Sequence, residues 1–264
     1  MQLFKEILSI DCEKIKSIIQ DFIFNSVKSA NADGVIIGLS GGIDSSVTAF
    51  LAVNALGSDN VLGLILTDSN VTPKQDIQDG RRVVDELSIE SKEVDISGIH
   101  DKFLDYVPKN RVSEGNLRAR IRMCIMYYYA NLLNRLVVGT GDKSEALLGY
   151  FTKYGDGGAD MLPIFGLYKS QVKLLGKHLN IPSTIVEKKS SPRLWIGQEA
   201  EEELGMTYGE IDSIFHMVFD HSISTVDVAD SLNMDLKRVE TLLDKYSSSS
   251  HKRIFPNSCN ISSV

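Results

Sequence analysis

The sequence predicts an α/β fold, a doubly wound parallel sheet with helices on both faces and a helical C-terminal part. Two patterns carry this prediction. Up to Thr140, short and nearly continuous apolar runs alternate with longer helical segments, as expected for strands buried on both faces. After Leu167 the pattern is helical and contains few strand-like runs. Sheets of this class bind ligands in the crevice at the carboxyl ends of their strands.

The elements are expected in a regular order. From Asp11 to Ala30, apolar residues recur at a spacing of three and four, which predicts an amphipathic helix that ends before Gly34. Strands are expected at residues 35–39, 61–67, 92–96 and 135–140. Helices are expected at residues 44–56, 73–87 (after a Thr72 cap) and 116–134. The C-terminal helices are expected at residues 169–179, 182–188, 208–219, 225–234 and 235–246, before a four-serine loop at residues 247–250.

The composition is typical of one globular domain over residues 1–264, with residues 254–264 expected to form a flexible tail. The net charge of −7 gives no support to nucleic-acid binding, which needs a basic face. The longest apolar runs are shorter than the roughly 20 residues of a membrane span. The three cysteines form no CxxC pair, which suits a reducing compartment and argues against a structural zinc site. We therefore expect a cytoplasmic protein that binds neither nucleic acid nor membrane.

The stretch GLSGGIDSS, Gly38 to Ser46, lies between a predicted strand and a predicted helix. Paired glycines at such a junction let backbone N–H groups converge on an anion, and the helix N-terminus adds its positive end. Three serines at positions 40, 45 and 46 offer hydroxyl donors to the same anion. A tight turn with a capping residue is the structural alternative. The length of the match and its context favour a phosphate-binding loop.

This loop has no lysine, unlike a Walker A loop, and carries Asp44 instead. A carboxylate about 4 Å from a phosphate charge costs about 4 kcal/mol at an effective dielectric constant of about 20. A divalent cation between them reverses the sign, since Mg²⁺ binds carboxylates together with substrate phosphates. Asp44 therefore predicts a magnesium site.

A second glycine-containing turn, GTGDKSE, follows the last predicted strand. Thr140 and Glu145 lie in this turn, at the same edge of the sheet as Asp44, and Glu145 is the candidate for a second metal ligand. The structural alternative is a capped helix start with Glu in its first turn. The presence of both loops favours the functional interpretation.

SGGIDSS resembles the signature of the ATP pyrophosphatase loop family, whose members adenylate a substrate and release pyrophosphate. Together with GTGDKSE and LGYFTKYGDGGAD (residues 148–160), it is similar to the ammonia-dependent NAD synthetases, from about residue 15 to Arg253. This resemblance implies an adenine nucleotide alpha hydrolase-like fold, with ATP as co-substrate and Mg²⁺ as cofactor. It also implies deamido-NAD and ammonia as substrates, and a homodimer.

The resemblance also implies roles for individual residues. ATP binding is expected at Gly38, Leu39, Ser40, Gly41, Gly42, Ile43, Asp44, Ser45, Thr140, Lys169 and Ser191. Deamido-NAD binding is expected at Arg120, Lys153, Asp160, His251 and Lys252, and metal binding at Asp44 and Glu145. At Ser191 the sequence SSPRLW departs from the PSAGLW-like loop of the relatives. On the sequence alone, some of Arg118, Arg120 and Arg122 are expected to be merely solvated, and so is an isolated His-Lys-Arg at residues 251–253.

The reaction implied is amidation of deamido-NAD through an acyl adenylate, with release of AMP and pyrophosphate. Asp156 is the hypothesised catalytic group that holds ammonium or accepts its proton. Since no cysteine lies beside an obvious base, we expect free ammonia as the nitrogen source, although a separate glutaminase subunit stays open. Two alternatives remain: another adenylating enzyme of the loop family, such as a tRNA thiolase or a GMP-synthetase-like amidotransferase, or a non-catalytic ATP-binding sensor.

Overall fold

A four-stranded parallel sheet with the strand order β3-β2-β1-β4 forms the centre of the computed structural model, which describes residues 6–256 and 258–259. The strands are β1 Val35–Gly38, β2 Val61–Thr67, β3 Glu90–Asp95 and β4 Leu136–Val138. In β1, Val35 pairs with Val61 of β2 on one side and with Leu136 of β4 on the other. From β1 the chain runs outward to β2 and β3, and it then returns to β4 on the other side of β1. The order therefore changes direction between β1 and β4, and sheets of this class bind ligands at the carboxyl ends of such strands.

Helices cover both faces of the sheet and continue into a C-terminal helical part. They are α1 Cys12–Ser29, α2 Ile43–Leu56, α3 Lys74–Leu87, α4 Ser97–Leu104, α5 Arg111–Leu132, α6 Lys143–Leu148, α7 Lys169–His178, α8 Ser183–Val186, α9 Ala200–Leu204, α10 Tyr208–Phe215, α11 Thr225–Leu232 and α12 Leu236–Ser248. Short 3₁₀ turns occur at Ser58–Asn60 and Ser250–Lys252, and one π turn occurs at His216–Asp220. This arrangement confirms the predicted parallel α/β class with a helical C-terminal part.

Successive side chains of the strands point to opposite faces, and each face has its own apolar core. Ile37 of β1 packs with residues of α1, α2, α3 and α7, among them Ile23, Val47 and Leu175. Its neighbour Ile36 packs on the other face, beneath α5. A third cluster, around Phe215 and Leu242, lies among the C-terminal helices. The continuous apolar runs of β1 and β2 are explained by this burial on both sides.

Several predicted boundaries were wrong for local reasons. Helix α5 begins at Arg111 rather than at residue 116, because Asn110 caps it by accepting a hydrogen bond from the Ser113 N–H. Thr72 does not cap α3; its hydroxyl oxygen accepts the Asp68 N–H instead. The predicted helix at 208–219 changes at His216 into a π turn.

The prediction of a loop at residues 247–250 was also wrong, since α12 continues through Ser248 and a 3₁₀ turn follows. Helices α4, α6 and α9 were not predicted; each spans eight residues or fewer, too short for a clear period in the sequence. Phe255 is 94% exposed, and no regular element follows Arg253 within the described residues. Residues 257 and 260–264 of the predicted flexible tail lie outside the described residues. Across residues 6–256, no helix combines the length and apolar character needed to span a bilayer.

Candidate active site

A cavity of about 440 Å³ opens at the carboxyl ends of β1, β2 and β4. The glycine-rich loop after β1 forms one wall, and the turn after β4 forms another. The cavity brings together most of the residues predicted from the sequence: Gly38, Leu39, Ser40, Gly42, Ile43, Asp44, Ser45, Thr140, Glu145, Asp156, Ser191 and Lys252. The predicted convergence of two distant loops on one crevice is therefore present in the structure.

The loop after β1 has little freedom. Gly41 has a φ of +73°, and a Cβ atom there would lie 2.2 Å from the carbonyl oxygen of Asp76. Ser45 and Ser46 donate their hydroxyl hydrogens to the Gly42 carbonyl, over 3.1 Å and 2.8 Å. Ser45 also lines the cavity, whereas Ser46 is fully buried beneath it. Of the three serines expected to face a bound anion, Ser40 and Ser45 line the cavity and Ser46 does not.

Lys169 lies at the centre of the site, with its side chain fully buried. Its Nζ atom is 2.8 Å from Asp44 Oδ2 and 2.9 Å from both Asp142 Oδ2 and Glu145 Oε1. Burial by itself would lower the pKa of Lys169, but the three acidic neighbours outweigh burial and raise that pKa. Lys169 therefore carries a positive charge that holds the two loops together.

Burial has the opposite effect on the acids around Lys169. Desolvation, reinforced by repulsion from Asp44, raises the pKa of Asp142 to about 6 and that of Glu145 to about 8, against the attraction of Lys169. Asp142 also caps α6 by accepting the Glu145 N–H at 2.8 Å. Asp142, in the same GTGDKSE turn, was not predicted as a site residue, because an aspartate just before a helix is already explained by capping. Its contact with Lys169 depends on the tertiary fold.

The carboxylate of Asp44 is incompletely paired. Its Oδ2 atom faces Lys169, whereas Oδ1 is buried and has no hydrogen-bond partner among the described residues. A buried carboxylate oxygen without a partner costs free energy unless a donor or a cation faces it. The donor set of Asp44 and Glu145, all oxygen, fits a hard divalent cation.

A segment between α8 and α9 crosses the mouth of the cavity and is fixed by charge. Lys188 Nζ donates to the carbonyl of Gly41 at 2.7 Å and to the buried carboxylates of Asp76 and Asp79. Arg193 donates to Asp76 at 2.8 Å. A lysine thus does contact the glycine-rich loop, but it comes from far along the chain, where no sequence motif marks it.

Ser191 lies in this segment and lines the cavity, but its hydroxyl donates to the Gln198 carbonyl. The same hydroxyl oxygen accepts the N–H of Arg193, which has a φ of +52°. The departure of this loop from the relatives' sequence therefore coincides with a tight local turn around Ser191.

Two arginines of α5 face inward. Arg118 Nε donates to Asp68 Oδ2 at 2.6 Å, and both side chains are buried. Arg122 donates to the Leu66 carbonyl and lines the cavity. On the sequence alone, some of the three arginines at 118, 120 and 122 were expected to be merely solvated. Arg118 and Arg122 are not, because the helix face that carries them packs against the end of β2. Arg120, on the other side of α5, is exposed.

Asp156 and Lys252 also line the cavity. Asp156 Oδ1 accepts the Thr152 N–H at 2.9 Å, which holds the carboxylate at the turn. Lys252 donates to the carbonyls of Gly149 and Phe151, at 2.7 Å and 2.8 Å. The basic end of the chain, for which solvation was the simpler expectation, is therefore bonded to the turn that follows α6.

The remaining predicted substrate residues lie outside the cavity wall. Arg120 donates to the Lys153 carbonyl, and Lys153 Nζ donates to the His251 carbonyl at 2.7 Å. Both carboxylate oxygens of Asp160 accept hydrogen bonds, from the Tyr127 hydroxyl and from the Val137 N–H. Arg120, Lys153 and His251 thus form one linked group on the surface, separate from the cavity, and Asp160 ties α5 to β4.

A family model described as NAD synthase matches residues 15–256 of the chain. The chain belongs to the NAD synthase family. An NH(3)-dependent NAD(+) synthetase of Hyperthermus butylicus is 47% identical over 253 residues, covering 95% of this chain and 92% of the relative. The resemblance predicted from SGGIDSS, GTGDKSE and LGYFTKYGDGGAD is thereby confirmed.

Solved structures of the NAD synthase family agree with the fold. An NMN synthetase from Francisella tularensis has a TM-score of 0.83 and 37% identity, with 96% of this chain and 100% of that chain covered. An NH3-dependent NAD synthetase from Campylobacter jejuni has a TM-score of 0.82 and 32% identity, with the same coverage. The adenine nucleotide alpha hydrolase-like fold predicted from the sequence is therefore confirmed.

Proposed function

We propose that this chain amidates deamido-NAD with ammonia to form NAD, using ATP and releasing AMP and pyrophosphate through an adenylated carboxylate. The observation that carries the proposal is the meeting of Asp44, Glu145 and Lys169 beside the glycine-rich loop. The curated relatives are ammonia-dependent NAD synthetases that match nearly the whole chain, which supports ammonia-dependent NAD synthesis. A ligase of this kind needs both an anion-binding loop and carboxylates at one crevice.

ATP is the co-substrate expected for this family, and the glycine-rich loop that lines the cavity suits its phosphates. The residues from Gly38 to Ser45, except Gly41, line the cavity, and α2 begins among them, so its positive end is available to an anion. Thr140, after β4, lines the same cavity. The chain activates the nicotinate carboxylate by holding it in line with the α phosphorus, so that positioning supplies much of the rate. Lys169 acts through Asp44 and Glu145, which it orients.

Mg²⁺ fits the acidic pair. The unpartnered Oδ1 of Asp44 and the partly exposed carboxylate of Glu145 would hold the ion together with phosphate oxygens. When bound, the ion offsets the negative charge that builds on the leaving pyrophosphate. Because burial raises the pKa of Glu145 to about 8, a cation bound there at neutral pH would favour the ionised form of this residue.

The deamido-NAD substrate is assigned to Arg120, Lys153, Asp160, His251 and Lys252. Of these, Lys252 lines the cavity, whereas the group of Arg120, Lys153 and His251 lies at the surface. We further propose a homodimer, supported by the exposed apolar side chains of α5, where Tyr128 is 69% and Leu132 is 64% exposed. We also propose that the protein is cytoplasmic and that it forms a single domain.

Asp156 is proposed to hold ammonium and accept its proton, since its carboxylate lines the cavity and is fixed by the Thr152 N–H. Replacement by Asn keeps the shape and removes the charge. We expect Asp156→Asn to raise the ammonia concentration needed for half-maximal rate, most strongly near neutral pH. An ammonia dependence equal to that of the wild type would remove Asp156 from this role.

Pyrophosphate release tests the whole proposal. Purified protein with ATP and Mg²⁺ is assayed with and without deamido-NAD and ammonia, and NAD is measured in parallel. We expect turnover only when the dinucleotide is present, and NAD only when ammonia is added. An adenylating enzyme for another substrate shows no response to deamido-NAD, and an ATP sensor releases no pyrophosphate in any mixture.

Nicotinate mononucleotide is a second candidate substrate, because the similar Francisella tularensis structure is that of an NMN synthetase. The amidated group is the same in both compounds, and only the attached nucleotide differs. Comparing kcat/KM for the two substrates in one assay decides between them. A higher value for deamido-NAD supports the main proposal, whereas a higher value for the mononucleotide replaces it.

A further inference from the structure

A cluster of two histidines and a glutamate lies outside the cavity, on the C-terminal helical part. Glu6, His216 and His221 each offer one ligand atom, and these atoms all lie within 4.8 Å of one another. The two imidazole Nε2 atoms are 3.1 Å apart, and Glu6 Oε2 is 3.9 Å from His221 Nε2. Ligands placed tetrahedrally around an ion at about 2.0–2.1 Å are themselves about 3.3 Å apart. We infer that Glu6, His216 and His221 form a binding site for a divalent transition-metal ion of the Zn²⁺ class.

The π turn creates the histidine pair. In a regular α-helix, residues i and i+5 lie on different sides, because each residue turns the chain by about 100°. Here the His221 N–H bonds to the His216 carbonyl at 3.2 Å, the i to i+5 pattern of a π-helix. The two rings therefore lie side by side, with their centroids 4.5 Å apart. Single π turns inside helices are frequent at functional sites.

The other ring nitrogen of His216 is already engaged as in known metal sites. His216 Nδ1 lies 2.8 Å from Asp220 Oδ2. A neutral imidazole that donates its Nδ1 hydrogen to this carboxylate presents the Nε2 lone pair to an ion. A carboxylate behind a ligating histidine fixes the ring and raises its basicity. Asp220 is fixed in turn by Lys143 Nζ at 2.7 Å and by the Tyr168 hydroxyl at 2.9 Å. Asp220 is therefore a positioning residue for this site.

The third ligand is also held in place. Ile7, next to Glu6, is buried in the C-terminal cluster, and its carbonyl accepts a hydrogen bond from Gln171 Nε2 at 3.1 Å. The carboxylate of Glu6 is thereby kept near the histidines although its side chain is half exposed. Two imidazoles and one carboxylate suit zinc and its neighbours in the first transition series, whereas Mg²⁺ prefers oxygen ligands and octahedral geometry. A water molecule completes the shell of such a three-ligand site.

The spacing of the cysteines could not predict this site, because the site contains no cysteine. Glu6 lies near the start of the sequence and His216 near its end, so their meeting depends on tertiary packing. A bound ion joins the N-terminal segment to the π turn. None of the three residues lines the cavity that contains Asp44 and Glu145, and the proposed magnesium site contains no nitrogen ligand.

The test is calorimetric titration of tag-free, EDTA-treated protein with ZnCl₂ in the absence of nucleotide, with bound zinc counted after gel filtration. We expect one Zn²⁺ per chain for the wild type. His221→Ala and Glu6→Gln, both at exposed positions, should each lower the affinity at least about tenfold. Asp220→Asn should lower it about 10- to 100-fold. Excess MgCl₂ should leave zinc uptake unchanged.

The matched control is His178→Ala. His178 Nε2 lies 2.9 Å from Glu13, so this histidine also faces a carboxylate, but it has no second imidazole beside it. The control should bind zinc as the wild type does. Absence of stoichiometric zinc uptake by the wild type overturns the inference, as does wild-type affinity in His221→Ala. An equal loss in His178→Ala overturns it as well.

Discussion

The ammonium group of Lys169 lies 2.8 Å from the carboxylate of Asp44, and the lysine side chain is fully buried. This pair joins α7 to the first helix after the glycine-rich loop. Since Asp142 and Glu145 contact the same ammonium group, one positive charge holds together two loops that would otherwise repel each other. We therefore expect both the stability of the fold and NAD synthesis to depend on Lys169.

Replacing Lys169 with Met should be strongly destabilising. The substitution leaves acidic groups buried without their cation, and breaking a buried ion pair from one side costs about 3–5 kcal/mol. We expect this loss in the free energy of unfolding by urea, together with loss of NAD synthesis. Lys177→Met is the control, because the Lys177–Glu187 pair is exposed on both sides and an exposed ion pair contributes little to stability. Equal effects of the two substitutions would contradict the central role of Lys169.

The free energy of unfolding should depend on pH through Glu145. Burial raises its pKa from 4.5 to about 8, so the folded chain keeps a proton that the unfolded chain releases. Stability from this group is thus fully present below pH 4.5 and is lost as the pH rises toward 8, at most about 1.4 kcal/mol per pH unit. Asp142 acts in the same direction between pH 3.8 and about 6.

Glu145→Gln should therefore gain stability relative to the wild type as the pH rises between 5 and 8. The measurement is urea unfolding in EDTA at several pH values. Glu240→Gln, at an exposed position of α12, should keep the wild-type slope. A wild-type slope in Glu145→Gln would show that Glu145 is ionised throughout this range.

Gly41→Ala should disrupt the glycine-rich loop. A side chain at φ +73° costs about 1–2 kcal/mol, and its Cβ would lie 2.2 Å from the Asp76 carbonyl oxygen, so the loop must move. We expect a lower melting temperature and loss of ATP binding in calorimetry. Gly98→Ala, in helix α4 with open space around its Cβ position, should instead stabilise the chain by about 0.5–1 kcal/mol. Unchanged ATP affinity in Gly41→Ala would contradict the proposed role of the loop.

The Arg118–Asp68 pair should behave as a buried pair. Arg118→Met leaves Asp68 uncompensated and should cost about 3–5 kcal/mol of unfolding free energy. Adding Asp68→Asn should recover part of this loss, which a double-mutant cycle measures as coupling. Arg81→Met removes one partner of the exposed Arg81–Glu93 pair and should have a much smaller effect on the free energy of unfolding. Simple additivity of the two core substitutions would rule out a coupled pair.

The sequence predicted local features well and distant contacts poorly. β1, β2 and the loop between β1 and α2 were placed correctly, because periodicity and glycine spacing act over a few neighbouring residues. Lys169 was assigned to ATP through the family resemblance, yet its contacts with three acids depend on residues 24 or more positions away. Arg118 is similar: only the packing of α5 onto the end of β2 separates a buried arginine from a solvated one.

The bonds from Lys252 and Arg253 to the end of α6 have a consequence for biosynthesis. Lys252 donates to the Gly149 carbonyl, and Arg253 donates to the Ala146 carbonyl, 107 residues earlier in the chain. Because a protein leaves the ribosome from its N-terminus, the sheet can form before Lys252 and Arg253 have been synthesised. The turn that carries Glu145 gains its last supports only after residue 253 has emerged. A nascent chain can therefore form all four strands of the sheet well before the segment after Glu145 gains these hydrogen bonds.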